Sequence, residues 1–443
     1  MMEKLMIYMP RLSARGDYIF TLLVRDLMGA EMILTDRREE YLTYDGPCLE
    51  YDNEPSGKGI FLHSHGLLQE TSVKPQTCGL FTYKNYPAFF PHTDERSAFP
   101  FDLFAAAFYL VTRYEEYLSF TPDRFGRFRP SDSITAAGNF LEIPVVNLWA
   151  NLLKDHIRMV YPSLQFNEKK FRFVPTIDID HAFAFKQHSI FRTLGGYSRS
   201  LMVGNLKKII QRTGVLLGIS RDPYDQYDYI REIHSQSGLR PIYFILFADY
   251  GKDDNNVTTS GRLFRQLLHK LDESGTTGIH PSLTSGRHSR VLHSEFKGLP
   301  KILGHKISAS RQHFLKVSFP DTFRDLIRHG ITDDYSLGYA SSPGFRAGIA
   351  DHFPFFDLIR NRKEPLMLHP VPLMDVTMKD YLRISPDEAV ILSRSFIDTI
   401  KAVDGEFVSL WHNESFDESG RWRGWKKVYE EILAYACEMM KSE

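Results

Sequence analysis

The sequence predicts an α/β protein: a mainly parallel sheet or distorted (β/α) barrel wrapped by helices over residues 169–443, preceded by a smaller mixed α/β domain over residues 1–168. Three observations predict it. From Phe171 onward, apolar strand-like runs alternate with helical stripes over about 270 residues, the pattern of strands joined by covering helices. Pro241-Ile242-Tyr243-Phe244-Ile245-Leu246-Phe247 is continuously apolar and aromatic, as expected of a strand covered on both faces. Before residue 100, short apolar pieces such as Ile60-Phe61-Leu62 and Ala88-Phe89-Phe90 are separated by Gly, Pro, Asn and Asp, which reads as short strands and loops.

The elements follow in order. Leu5 to Met9 predicts a short strand, and Ile19, Leu22, Leu23, Leu27 and Met28 recur at helical spacing behind it. The segment from Asp102 to Tyr117 is apolar nearly all round at its start and charged at its end, which predicts a buried helix emerging at the surface. Val145 to Val160 fits a second helix, and the polar stretch Ser163 to Lys170 marks the boundary between the domains. Phe173 to Ile177 predicts a strand in which Pro175 demands an edge, a bulge or an unpaired amide. Leu263, Phe264, Leu267, Leu268 and Leu271 share one helical face that Gly275 closes, and a short strand runs into Gly278-Ile279-His280. Ser385-Pro386-Asp387-Glu388 combines a capping box with proline at the first helical position. That helix leads through Gly405 to the strand Phe407 to Trp411.

Composition narrows the function classes. Lys plus Arg total 54 against 55 for Asp plus Glu, so no global field attracts nucleic acid or an anionic membrane, and any polyanion must meet a local patch. Cys48, Cys78 and Cys437 are odd in number and follow no CxxC spacing, which argues against a disulfide framework or a thiolate zinc site and predicts small buried hydrophobes. The N-terminal apolar stretch is too short for a signal peptide, and no run of 18 apolar residues predicts a membrane span. The expected location is cytoplasmic.

In such folds polar residues just past apolar strands face the crevice where loops converge. Four predicted strands end that way: Thr176-Ile177-Asp178-Ile179-Asp180-His181, Gly278-Ile279-His280-Pro281-Ser282, Ser310-Arg311-Gln312-His313 and Leu410-Trp411-His412-Asn413-Glu414. Strand alternation puts Asp178 and Asp180 on one face. Taken singly, a strand-end Asp or His is more often a cap or a satisfied hydrogen-bonder. Their order carries more. Asp-x-Asp, an aromatic strand, Gly-x-His-Pro-Ser, Arg and Leu-x-His together resemble the polysaccharide deacetylase family, the NodB-like carbohydrate esterases, over residues 171–430. A divergent branch of that family resembles this chain further in Gly344-Phe345-Arg346-Ala347-Gly348, in Trp411-His412-Asn413-Glu414-Ser415 and in an N-terminal domain of unknown function.

The resemblance implies a metal-dependent hydrolase that removes acetyl groups from a carbohydrate in surface-polysaccharide assembly. It implies Asp178 as base, Arg311 or Arg346 as the partner that orients it, and His412 as general acid. It also implies a divalent metal of the Zn2+ type on Asp180 and His280. Two positions depart from the family pattern: Ile179 separates aspartates that are adjacent there, and Thr284 stands where a second histidine is usual. A third ligand must therefore come from elsewhere, with His181 and His313 the donors within reach, and Asp375 is either another strand-end ligand or a loop cap. The rival expectation is a non-catalytic carbohydrate-binding or scaffold protein. Trp411, Trp422 and Trp425 suit either sugar stacking or packing of the last helix.

Overall fold

The computed structural model describes residues 3–442 apart from 249 and 252, and the backbone alone at 287. The N-terminal part is built on a four-stranded parallel sheet. Its strands are β1 (Leu5–Tyr8), β2 (Met32–Thr35), β3 (Cys48–Asp52) and β4 (Ile60–His63), in the order β2-β1-β3-β4. Alternation along β1 sends Leu5 and Ile7 into the main core, while Met6 and Tyr8 pack with Tyr41 and Cys48 on the other face. The helix after β1, Ala14–Phe20, continues as a π-helical segment over Thr21–Leu27. A hairpin of β5 (Phe81–Tyr83) and β6 (Tyr86–Ala88) and the helix Val145–Val160 complete this part.

The segment after Asp102 departs from expectation. The helix spans Leu103–Val111, capped by the Asp102 carboxylate on the Ala105 amide, and ends where Arg113 takes a left-handed conformation with φ 53°. A 3-10 turn, Tyr114–Tyr117, follows. Its charged end does not emerge at the surface, because Arg113 and Glu116 are buried against the C-terminal part. Among the cysteines, only Cys48 is fully buried; all three are free thiols.

The second sheet has nine strands: β7 (Arg172–Ile179), β8 (Ile242–Leu246), β9 (Thr276–His280), β10 (Ala309–Ser310), β11 (Asp333–Leu337), β12 (Phe353–Asp357), β13 (Arg362–Pro370), β14 (Leu373–Met374) and β15 (Glu406–His412). Their order is β12-β13-β11-β10-β9-β8-β7-β15-β14, and every pairing is parallel except β12 with β13. Pro175 lies where the ladder to β8 has not begun, since that ladder starts at Thr176 opposite Ile242.

The sheet is curled, as two measurements require. Phe244 on β8 and Tyr335 on β11 have ring centroids 5.3 Å apart, although three strand steps in a flat sheet would separate them by about 14 Å. β13 and β14 stand seven steps apart in the sheet, yet only Val371 and Pro372 connect them, a link that reaches about 11 Å at most. The result is an open half-barrel, since no ladder joins β13 to β14 among the described residues. Pro370 and Pro372 at this point have no amide to donate to such a ladder. The curl gathers the carboxyl ends of β7, β9, β10 and β15 around one hollow.

The two parts share a single buried core that runs from Leu5 to Ala436. Tyr18 packs on Phe356 of β12 at 5.0 Å and donates its hydroxyl to the Pro354 carbonyl at 2.8 Å. Asn147 donates to Asp351 at 2.6 Å. Glu116 accepts from Arg346 Nε and Arg113 Nε, each at 2.9 Å.

A candidate metal and acid–base site

β7 places Asp178 and Asp180 on the concave face, the first on the strand and the second one residue past its end. Asp178 Oδ1 accepts from Arg311 Nη1 at 2.7 Å. Arg311 follows the two-residue β10 and is fully buried. Its Nε donates to the Tyr335 carbonyl at 2.9 Å, and its guanidinium lies 4.4 Å over the Phe244 ring. A cation clamped by a carbonyl and an aromatic face has little freedom, so it fixes the Asp178 carboxylate that it pairs with. The other Asp178 oxygen lies 3.8 Å from His280 Nε2.

Asp180 is surrounded by imidazoles. His280 Nε2 stands 3.3 Å from Oδ1, while His313 Nε2 and His412 Nε2 stand 3.5 and 3.6 Å from Oδ2. These separations are long for hydrogen bonds, and buried Oδ1 has no hydrogen-bond partner. They are the length of a tetrahedron edge, about 3.3 Å, when ligands sit about 2.0–2.1 Å from a zinc ion. Asp180, His280 and His313 present ligand atoms within 4.8 Å of one another.

The tautomers agree with that reading. His280 Nδ1 is 2.6 Å from the Arg311 carbonyl, which can only accept, so Nδ1 carries the proton and Nε2 turns its lone pair toward Asp180. His313 Nδ1 lies 2.9 Å from Asp254, and Asp254 also accepts from the amides of Leu283 and Thr284 and the Thr284 hydroxyl. A carboxylate behind a histidine is the usual outer support of a metal ligand. Thr284 thus holds the carboxylate that orients His313, in the turn after β10. The residues present fit a divalent cation.

His412 closes the opposite side. Its Nδ1 lies 2.8 Å from Asp375 Oδ1, and Asp375 also accepts from the His412 amide and the Ser415 hydroxyl. Burial works against charge on this ring, but Asp375, then Asp180 and Asp178, push its pKa up to about 10. It is held as an imidazolium, a proton donor. Burial likewise opposes charge on Asp180, yet His313, His280 and His412 hold its carboxyl well below the usual range. Asp375, left open by the sequence between ligand and cap, is the support of His412.

Two expected residues lie elsewhere. His181, past the end of β7, turns away to Glu414, with Nδ1 3.4 Å from its carboxylate. Arg346 does not reach Asp178; its Nη1 donates to the Gly338 carbonyl at 3.1 Å, and its remaining bonds go to Glu116. The Gly344–Gly348 loop serves the junction between the two parts. Trp411, Trp422 and Trp425 are buried and pack on one another, so none offers a face to a sugar.

A second group, His352, His369 and Glu406, has ligand atoms equally close. There His369 places Nδ1 2.9 Å from Glu406 and Nε2 3.0 Å from Asp333. Burial opposes charge on this ring, but Asp333 and Glu406, one at each nitrogen, raise its pKa, so its contacts here are those of an ion pair.

The hollow over Asp180 has a volume of about 130 Å³ and is walled by Gln312, Phe314, Met374, Tyr381 and, from the N-terminal part, Arg127. Arg127 donates to the Phe314 carbonyl at 3.0 Å. A neighbouring trough of about 560 Å³ shares Arg127, Leu315, Ala340 and Tyr381 with it. Neither Arg127 nor Asp254 is legible in the sequence, because both lie in loops without periodicity.

Fold and site together define a class: an α/β half-barrel with an Asp-His-His constellation at its strand ends. Residues 5–162 match the model of DUF7033, a family of unknown function. No curated protein matches the chain. Among solved structures, a protein assigned as a polysaccharide deacetylase from Mycobacterium smegmatis superposes with TM-score 0.40 at 13% identity, over 61% of this chain and 85% of that one. Another assigned likewise, from Pseudomonas aeruginosa PAO1, superposes with TM-score 0.38 at 8% identity, over 69% and 91%.

Proposed function

We propose that this protein is a metal-dependent hydrolase that removes acetyl groups from a carbohydrate during surface-polysaccharide assembly. The observation that carries the reading is the set Asp180, His280 and His313, spaced for coordination rather than for hydrogen bonding. These three would hold a divalent cation of the Zn2+ type. Bound there, it would supply Lewis-acid charge to a carbonyl and lower the pKa of water. Asp178, aimed by Arg311, accepts the proton of the attacking water. His412, charged and aligned by Asp375, returns a proton to the leaving amine or alcohol. Arg127 and Tyr381 border the hollow where the sugar would sit.

The test is elemental analysis of the purified protein beside its His280→Ala variant. One equivalent of zinc, cobalt or nickel that disappears in the variant is the expected result, followed by release of acetate from acetylated sugars by the loaded protein. Absence of metal after reconstitution would favour the binding-protein alternative.

A further inference from the structure

Between β7 and β8 the chain leaves the half-barrel to form two helices, Ile190–Met202 and Leu206–Leu216, joined at Gly204 with φ 65°. Their amphipathicity is inverted. The side that packs on the protein is mostly polar: Ser200, Arg212 and one apolar residue, Val215, are buried, and Arg212 lies 4.9 Å over Phe185. The side that faces solvent is apolar, with Phe191 87%, Met202 80% and Ile210 72% exposed. A globular helix has the opposite arrangement. The concentration is local, since among the described residues 11 of the 23 exposed large hydrophobic side chains fall between Ile190 and Ile219.

Charge identifies what covers this face. From His181 to Arg221 there is no Asp or Glu and there are seven cations; Lys186 and Arg221 pair with Asp225 and Asp228 and Arg212 is buried, which leaves Arg192, Arg199, Lys207 and Lys208 for a partner. In a chain of net charge −1 this is the local patch that a polyanion requires. A second copy of the chain docked face to face would set the cations against one another, which disfavours that occupant. Apolar side chains flanked by lysine and arginine are what an anionic bilayer surface accepts, the apolar side entering below the headgroups and the cations meeting them.

We propose that the helix pair docks this protein on an anionic lipid bilayer surface. The pair also walls a cavity of about 1080 Å³ with Tyr224 and Trp422, and Tyr224 lies 6.1 Å from the His181 ring just past β7. The inference does not depend on the hydrolase reading, because vesicle binding can be measured on metal-free protein.

The experiment is cosedimentation of the full chain with phosphatidylcholine vesicles, with and without about one-third phosphatidylserine. Expected is binding to the anionic vesicles at least about tenfold stronger than to neutral ones, weakened as salt rises toward about 1 M. Phe191→Asp with Ile210→Asp, and separately Lys207→Glu with Lys208→Glu, should each weaken it about tenfold or more while leaving the far-ultraviolet dichroism unchanged. All four side chains are exposed, so the fold does not depend on them. The proposal fails if anionic vesicles do not bind the chain, or if either double variant binds them as well as the parent does. It fails equally if the parent is a dimer that the Phe191→Asp, Ile210→Asp pair dissociates, since the face would then belong to a second copy.

Discussion

Asp178 and Asp180 are two residues apart and face the same hollow, yet their neighbours give them different work. Asp178 is bonded to a guanidinium and Asp180 is ringed by imidazoles. Asp178→Asn should therefore reduce turnover about 10²- to 10⁴-fold while metal content stays at the parental level, because it removes a proton acceptor and not a ligand. Parental turnover in that variant would remove Asp178 from the mechanism. Asp254→Asn acts on the metal instead. It weakens the support of His313 and should raise the metal's dissociation constant about 10- to 100-fold, measured by competition with a chromophoric chelator. Legibility at this scale was uneven. Asp180 and His280 could be paired because each ends a strand with an apolar run before it. His313 and His181 could not be separated, since alternation stops where β7 ends and nothing in the sequence shows that His181 swings to Glu414.

At the scale of elements, the firmest expectations were those with a local chemical mechanism. Ser385 and Glu388 form the reciprocal capping box, and the helix starts at Pro386 as the sequence predicts. Gly275 ends the helix Arg262–Ser274. The π-helical turn after Phe20 was not legible, nor was the shortness of β10 and β14, two residues each. The helix Tyr227–Gln236 shows how a partner distant in sequence acts. His234 Nδ1 lies 2.6 Å from the Ile230 carbonyl, so Nε2 accepts from the Tyr429 hydroxyl at 2.7 Å and ties this helix to Trp425–Lys441. Burial, opposed only by the Ile230 carbonyl, lowers the His234 pKa to about 4. The unfolded chain takes up this proton near its ordinary value of about 6.5, so between about 6.5 and 4 the unfolded state binds more protons and stability falls as the pH falls. Loss on the order of 3 kcal/mol is expected across that window. Urea unfolding at pH 7 and pH 5 should show a smaller difference in His234→Asn than in the parent.

For the whole molecule, the two sheets lie on either side of residue 168 while one buried core runs through both. Glu116 is the carboxylate between Arg113 and Arg346, all three buried, with one arginine from each part. Burial raises its pKa, but Arg346 and Arg113 outweigh that and hold it below the usual range. Glu116→Ala leaves Arg346 without its carboxylate and Arg113 with Glu115 alone, 3.6 Å away, and should cost about 3–5 kcal/mol. Because the core is shared, unfolding should remain a single transition in the variant, displaced to lower urea. Two separated transitions would show that the parts are energetically independent. The charge balance of the chain predicted the absence of a global field, and it concealed the one segment without carboxylates, because a sum over 443 residues hides a run of about 40.

The contact of Tyr18 and Phe108 with Phe356 also sets a schedule for synthesis. On the ribosome, residues up to 160 are complete long before β12 exists, and about 200 further residues separate them. At about 5–20 residues per second the gap lasts about 10–40 s. Throughout that interval Tyr18 and Phe108 lack the Phe356 ring that covers them in the folded chain.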